Sequence, residues 1–524
     1  MEPSCIHQTA IPGTSRLFAD YLYQFDRVKP FLPFHFQDGD LARAAARMEY
    51  PEARRAQLVA ALRKQNGDAA ALEELARPGT VAVVTGQQVG LFSGPAYTIY
   101  KAVTAVKLAE ALRRQGVAAV PIFWLATEDH DLAEVDHAWV FDEEATPSKV
   151  SVASRVTNGG PVGNVELGEV PLAELRAGLG KLPYADEALE RVSASYRTGA
   201  TLGEAFRGYL QEVLKGLGLL FVDPLAPEIR EISAGFLTEA VEHAPELIAA
   251  LRQRDRDLVA AGYHAQVLVE ESSSLVFLLT GGKRIPLRWK DGKFAGRDRS
   301  YSAAELKTMA DQISPNALLR PVMQDYLLPT ASYVGGPAEI AYLAQSEVLY
   351  RNLLGRMPVI FPRNSFTLLD GRAAKLLERY GLRVADVLDH QEKVKSRMAA
   401  KLVPSKLGDE LKALHSEFST SLERVQGSLA KFDPTLEAAA KKSAGKILYQ
   451  VEKLGQKTAR ETMRRDERAA RDAAYLMNLI YPQRHLQERF YSIVPFLAKY
   501  GPDLPQRLLE QAQLACPDHM VRTV

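Results

Sequence analysis

Of the 524 residues, 47% are hydrophobic and 25% charged, the balance of a folded globular chain with a sizeable core. A formal net charge of +1 argues against a nucleic-acid binder driven by bulk electrostatics, but leaves room for small anions held by two or three placed cations. No uncharged apolar run reaches the roughly 18 residues of a membrane span and the N-terminus lacks a secretory pattern, so a cytoplasmic location is expected.

Residues 15–30 mix aromatics with charges and are expected to pack on the main domain. An Ala/Leu/Arg-rich pattern from Leu41 to Leu75 predicts helices, stopped by Pro78-Gly79. Val81 to Val84 is a short β-branched run of buried-strand type, leading into a loop with glycines at 86, 90 and 94. Pro95 suits the first turn of a helix, and Tyr97 to Gln115 carries apolar residues at helical spacing before the stop at Gly116. Val117 to Leu125 is the second strand of what is then a β-loop-α-β unit of a parallel sheet. Leu219–Val222, Ala331–Val334 and Val359–Phe361 have the same buried character, which predicts an α/β doubly wound sheet. Residues 138–185 look like an insertion of short strands. Residues 263–297, with Gly281-Gly282 and Asp291-Gly292 turns, look like an antiparallel hairpin module.

Beyond Asp370 helix formers dominate. Apolar residues from Leu407 to Phe432 and from Leu436 to Leu454 step by three and four on either side of Asp433-Pro434. Two such helices joined by a tight turn predict an antiparallel coiled-coil hairpin, a common association surface. The expected organisation is a core over 1–384 with the two insertions, a helical arm over 385–480, and C-terminal helices over 481–524 that pack back on the core. Cys5 and Cys516 are the only cysteines, at opposite ends of the sequence and outside any CxxC spacing. Neither a zinc site, a disulfide framework nor a catalytic thiol is expected from them.

Four clusters could carry chemistry. Thr85-Gly86-Gln87-Gln88, Gly90, Gly94, Pro95, Thr98 and Lys101 follow a strand and open a helix, where ligands bind in parallel sheets. The run matches neither GxGxxG nor GxxxxGK[ST], and a tight turn without a ligand is the alternative. Glu128, Asp129, His130 and Asp131, with Glu134, Asp136 and His137, are too many charges to bury unpartnered. They could hold a substrate ammonium and supply a base, ligate a metal, or open a solvated helix. Arg320, and Gly335-Gly336 with Glu339, form a second glycine turn at a helix start, where Glu339 could simply complement the dipole. Arg363 after a strand is either an anion clamp or a surface ion pair.

The strings TGQQVGLFSGPAYTIYKAVTAVKLAEALRRQG, PIFWLATEDHDLAEVD, LLRPVMQDYLLPTASYVGGPAEIAYLAQ and PVIFPRNSF, in this order and with a coiled coil after them, resemble the bacillithiol biosynthesis cysteine-adding enzymes. The resemblance implies a cytoplasmic ligase that joins L-cysteine to the amine of glucosaminyl malate, the last step of bacillithiol synthesis. It implies a Rossmann-like core similar to class I aminoacyl-tRNA synthetases and a coiled coil that promotes a homodimer. It also implies an adenine nucleotide (ATP or ADP) and no firmly expected metal. Under it the 85–98 loop holds phosphates or a substrate carboxylate. Glu128 and Asp129 hold an ammonium, His130 or Asp131 removes a proton from the attacking amine, and Asp129, His130 and Asp131 form the catalytic group. Arg320 and Arg363 clamp the malate carboxylates, and Gly335, Gly336 and Glu339 shape the sugar or nucleotide side. The sequence departs from the synthetase pattern in having no histidine between 8 and 34 or 36 and 129. Only Lys393-Val394-Lys395-Ser396-Arg397 echoes the lysine-rich signature. The rival readings are a metal-dependent hydrolase built on Glu128–Asp131 and a non-enzymatic coiled-coil scaffold.

Overall fold

A computed structural model describes residues 4–37, 39–152, 159–389 and 391–524. Residues 153–158 of the first expected insertion, and residue 390 of the expected arm, lie outside that description. The chain divides into two compact units. One comprises Cys5–Phe366 with Glu488–Met520; the other is built on Thr367–Gln487 with short segments from both chain ends.

The first unit is organised around five strands: β1 (Val81–Gln88), β2 (Ala119–Ala126), β3 (Leu220–Val222), β4 (Thr330–Gly335) and β5 (Val359–Pro362). All neighbouring pairs are parallel, in the spatial order β5-β4-β1-β2-β3. Their apolar residues are almost fully buried, as continuous rather than alternating hydrophobic strands require when both faces are covered. Winding runs outward from β1 through β2 to β3, then restarts on the other side with β4 and β5. Right-handed crossovers therefore place the two sets of helices on opposite faces, which opens a crevice between the carboxyl ends of β1 and β4. The five expected strands are all present, β1 running four residues further than its apolar run because Thr85 to Gln88 pair with Phe123 to Ala126.

Helix Tyr97–Arg114 packs on β1 and β2 and ends before Gly116, whose φ of +83° suits a glycine. The second insertion is a five-stranded antiparallel sheet centred on Ser273–Thr280 and Lys283–Lys290, turning at Gly281-Gly282 as expected. The first departs from its expectation of short strands. A single hairpin, His137–Phe141 with Pro147–Ser151, gives way to helices Leu172–Leu179 and Ala185–Ser195. Leu175, Gly178 and Leu179, and likewise Ala185, Ala188 and Val192, are buried at the three- and four-residue spacing of a helical face, a period that the local Gly and Pro obscured. Helix Leu504–Gln511 packs on helix Tyr97–Arg114, and Val494–Tyr500 on Ala185–Ser195.

In the second unit, helices Ser405–Phe432 and Pro434–Arg465 pack side by side across Asp433, whose carboxylate caps the second helix through Thr435 N at 2.8 Å. The expected continuation to residue 480 is broken at Asp466, which caps a separate helix, Glu467–Ile480.

Candidate active site

The crevice between β1 and β4 holds a cavity of about 570 Å³. Gly86, Gln87 and Gln88 line it from the end of β1, and Glu128, Asp129 and His130 from the loop after β2. Gly336 to Glu339 face it from the start of helix Pro337–Leu353, and Arg363 from the turn after β5. The antiparallel insertion supplies Phe277 and Arg284, and Arg320, Tyr97, Tyr333, Tyr342 and Arg489 complete the polar wall. Sequence reasoning thus brought Gly86 and Asp129 to one shared cavity. It missed Arg284, Arg489 and the tyrosines, whose approach is set by tertiary packing alone.

Other expected residues stand outside the lining, for identifiable reasons. Thr85 is buried and its hydroxyl donates to Val334 O at 2.9 Å, tying β1 to β4. Gly90 and Gly94 face each other, so that a Cβ on Gly90 would meet Gly94 Cα at 3.0 Å. Their turn is folded into the interior, with Tyr196 donating to Gly90 O at 2.9 Å and accepting from Ser93 N at 3.1 Å. The tight-turn alternative describes this segment, and Pro95 and Thr98 follow it away from the cavity. Gly86 itself is required by sheet packing, since a Cβ there would meet Trp124 O at 2.8 Å. Asp131 is exposed and Gly335 is buried in β4. Lys393, Lys395 and Arg397 belong to the second unit and pair with Asp389, Glu392 and Asp386.

Lys101 lies behind the lining and organises it. Its buried ammonium donates to Gly86 O, to Gln87 Oε1 at 3.3 Å and to Glu339 Oε1 at 2.8 Å. Glu339 also accepts from Tyr333 OH at 2.6 Å and from Gly336 N at 2.8 Å. Burial pushes the Glu339 carboxyl up, but Lys101, Tyr333 and the Gly336 amide outweigh it and hold it below the usual range. Burial lowers the Lys101 pKa, and Glu339 offsets only part of that.

On the facing side Gln88 Nε2 donates to Asp129 Oδ2 at 2.6 Å and to Glu134 Oε2 at 3.0 Å. Asp129 Oδ1 accepts from His130 N at 2.7 Å. Glu128 is buried against Arg230 at 3.0 Å, and burial raises its pKa despite Arg230 and Arg284. Arg284 stacks 3.8 Å from the Phe277 ring and donates to Pro315 O at 2.7 Å and Ser314 Oγ at 3.1 Å. Its Nη1 lies 3.0 Å from His130 Nδ1. A guanidinium only donates, so Nδ1 accepts and the ring proton resides on Nε2.

Arg363 donates to the fully buried Glu488 at 2.6 Å, and Glu488 also accepts from Ser365 Oγ and Phe366 N, each at 2.9 Å. The surface ion pair offered as one alternative is instead a buried ion pair, with Arg363 in the wall of the cavity. Arg320 instead contacts neutral partners, Gln324 Oε1 at 3.1 Å and Tyr342 OH at 3.2 Å. Burial opposes its charge, but Tyr342, Tyr333 and Glu339 outweigh it and raise its pKa. Among the described residues, none of Arg284, Arg320 and Arg489 makes a salt bridge to a carboxylate, and no three His, Cys, Asp or Glu side chains gather as metal ligands.

Two family models together span nearly the whole chain: "Bacillithiol biosynthesis BshC, N-terminal Rossmann-like domain" over residues 1–364 and its C-terminal coiled-coil domain over 366–524. The chain belongs to the BshC family of bacillithiol biosynthesis. A relative from Solibacter usitatus is 52% identical over the full length of both chains. One from Koribacter versatilis is 36% identical over 99% of each, and one from Salinibacter ruber 32% identical over 96% of this chain and 95% of the relative. All three carry the name "Putative cysteine ligase BshC". The parallel sheet and the helical hairpin are thus the Rossmann-like and coiled-coil domains of this ligase family.

Proposed function

We propose that the cavity joins the carboxyl group of L-cysteine to the amine of glucosaminyl malate, forming the amide of bacillithiol. The observation that carries this reading is the charge distribution. Among the described residues Arg284, Arg320 and Arg489 line the cavity without a salt bridge to a carboxylate, and Asp129 lines the same cavity from the loop after β2. A dicarboxylate with an amine at its other end matches that polarity, since cations hold malate oxygens while an acid receives the ammonium.

In this reading Arg320 and Arg489 hold the malyl carboxylates. Asp129, fixed through both oxygens by Gln88 and the His130 amide, orients the sugar amine and takes its proton as nitrogen attacks the carbonyl carbon of cysteine whose carboxyl is already activated. The C–O bond to the activating group breaks as the C–N bond forms. His130 offers a proton on Nε2 and therefore acts as a donor toward developing negative charge rather than as the base. Lys101 and Glu339 keep the ends of β1 and β4 in register with the cavity.

A carboxylate is a poor electrophile, so the reading includes an adenine nucleotide as the activating group. The loop after β1 does not fit its phosphates, because Gly90 and Gly94 face each other in the interior instead of presenting free amides. The coiled coil is read as a homodimer surface. Phe418, Val425 and Ile447 on its two helices remain 39–50% exposed, and exposed apolar patches mark association surfaces.

The test is direct. Purified protein given cysteine, glucosaminyl malate and ATP should yield the thiol by mass spectrometry, and Asp129→Asn should reduce the rate about 10²–10⁴-fold. Undiminished product in that variant would remove Asp129 from the reaction.

A further inference from the structure

The two cysteines lie at opposite ends of the sequence but not of the molecule. Cys5 Sγ is 3.5 Å from Cys516 Sγ, with Cys5 exposed and Cys516 half-buried. The approach is held by neighbours on both sides. Gln8 Nε2 donates to Pro517 O at 3.1 Å, Gln37 Nε2 to Ala515 O at 3.1 Å, and Tyr23 OH to Asp518 Oδ1 at 2.5 Å. Gln8 N in turn donates to Tyr23 OH at 3.0 Å, so the segments carrying the two thiols share one hydrogen-bonded frame.

We propose that Cys5 and Cys516 form a reversible dithiol–disulfide site that is oxidised by low-molecular-weight disulfides. A disulfide bond is about 2.05 Å long, so the sulfurs need to approach by only about 1.5 Å, a side-chain movement within an already formed frame. Cys5, being exposed, is the entry point. Its thiolate attacks one sulfur of the small disulfide and expels a small thiol, leaving a mixed disulfide on Cys5. Cys516 then loses its proton to solvent and attacks the Cys5 sulfur, expelling the second small thiol. Two electrons and two protons pass from the protein to the small disulfide, which leaves as two thiols. Burial, and then the neighbouring Cys5, push the Cys516 thiol up to about 11, which makes it the slower, resolving partner. Strained or exposed pairs are the ones that cycle in a reducing compartment, unlike structural bridges. The site does not depend on the ligase reading, because neither sulfur belongs to the cavity.

The experiment equilibrates the reduced full-length protein with graded ratios of reduced to oxidised glutathione, traps free thiols with an alkylating agent, and maps peptides without reduction. The expected result is a chain lighter by two hydrogens, free of adducts and still monomeric in covalent mass. Its Cys5 and Cys516 peptides are joined, and reductant reverses the link. Cys516→Ser should then carry a single glutathione on Cys5, while Cys5→Ser reacts about tenfold or more slowly. Two thiols alkylated at every ratio, separate adducts on both cysteines, or links only between chains would overturn the proposal.

Discussion

Lys101 shows how much one buried cation decides at this site. It is 1% exposed, yet it holds Gly86, Gln87 and Glu339 together at the ends of β1 and β4. Lys101→Met leaves Glu339 charged beside an apolar side chain, and a denaturant titration should show a loss of roughly 3–5 kcal/mol. Adding Glu339→Gln should return part of that loss; a Lys101→Met protein as stable as the parent would contradict the role. His519 offers a pH signature at the same scale. Burial lowers its pKa from 6.5 to about 4, and its Nδ1 lies 2.6 Å from Ser365 Oγ, which donates to Glu488. Between those two pH values the unfolded chain binds the proton and the folded chain does not, so stability falls as pH drops through this window. The thermal midpoint of His519→Gln should show a flatter pH dependence there than the parent; parallel curves would exclude the assignment. Lys101 was marked in the sequence as a member of the cluster after β1, but its role behind the lining was not, because Glu339 arrives from 238 residues away, and His519 reads as part of a tail.

At the scale of elements, the strands were legible because each is a short, wholly apolar β-branched run bounded by Gly, Pro or Asp, a pattern only a doubly covered parallel sheet makes. The arm was legible because its apolar spacing runs unbroken up to Asp433 and resumes beyond Pro434. The first insertion was not, since hairpin and helices succeed one another within fifty residues and glycines blur both periods. The 85–98 loop was legible only in part, for a related reason: Gly86 to Gln88 line the cavity and the Gly90–Gly94 turn does not. Glycine marks close approach without saying of what, and at Gly86 and Gly90 the approaching group is Trp124 or Gly94 rather than a ligand. For the arm, Phe418→Glu with Val425→Glu places charge on its half-exposed apolar seam. Light scattering should then report the mass of one chain where the parent gives that of two, with the circular-dichroism helix signal retained. A parent already monomeric would remove the dimer reading.

For the whole molecule, the order β5-β4-β1-β2-β3 explains why residues so far apart in the chain meet. Two right-handed windings diverge from β1 and β4, and their loops converge on one crevice. Sequence patterning located that crevice through Gly86, Asp129, Glu339 and Arg320. It could not find Arg284 or Arg489, because the hairpin and the C-terminal segment that deliver them arrive from more than a hundred residues away. The dicarboxylate reading of this crevice rests on Arg320 and Arg489, which among the described residues make no salt bridge to a carboxylate. Calorimetric titration of glucosaminyl malate into the parent and Arg320→Met proteins tests it most directly. Binding to the parent and an affinity about tenfold or more weaker in the variant is the predicted result, and equal affinities in two equally folded proteins would contradict it.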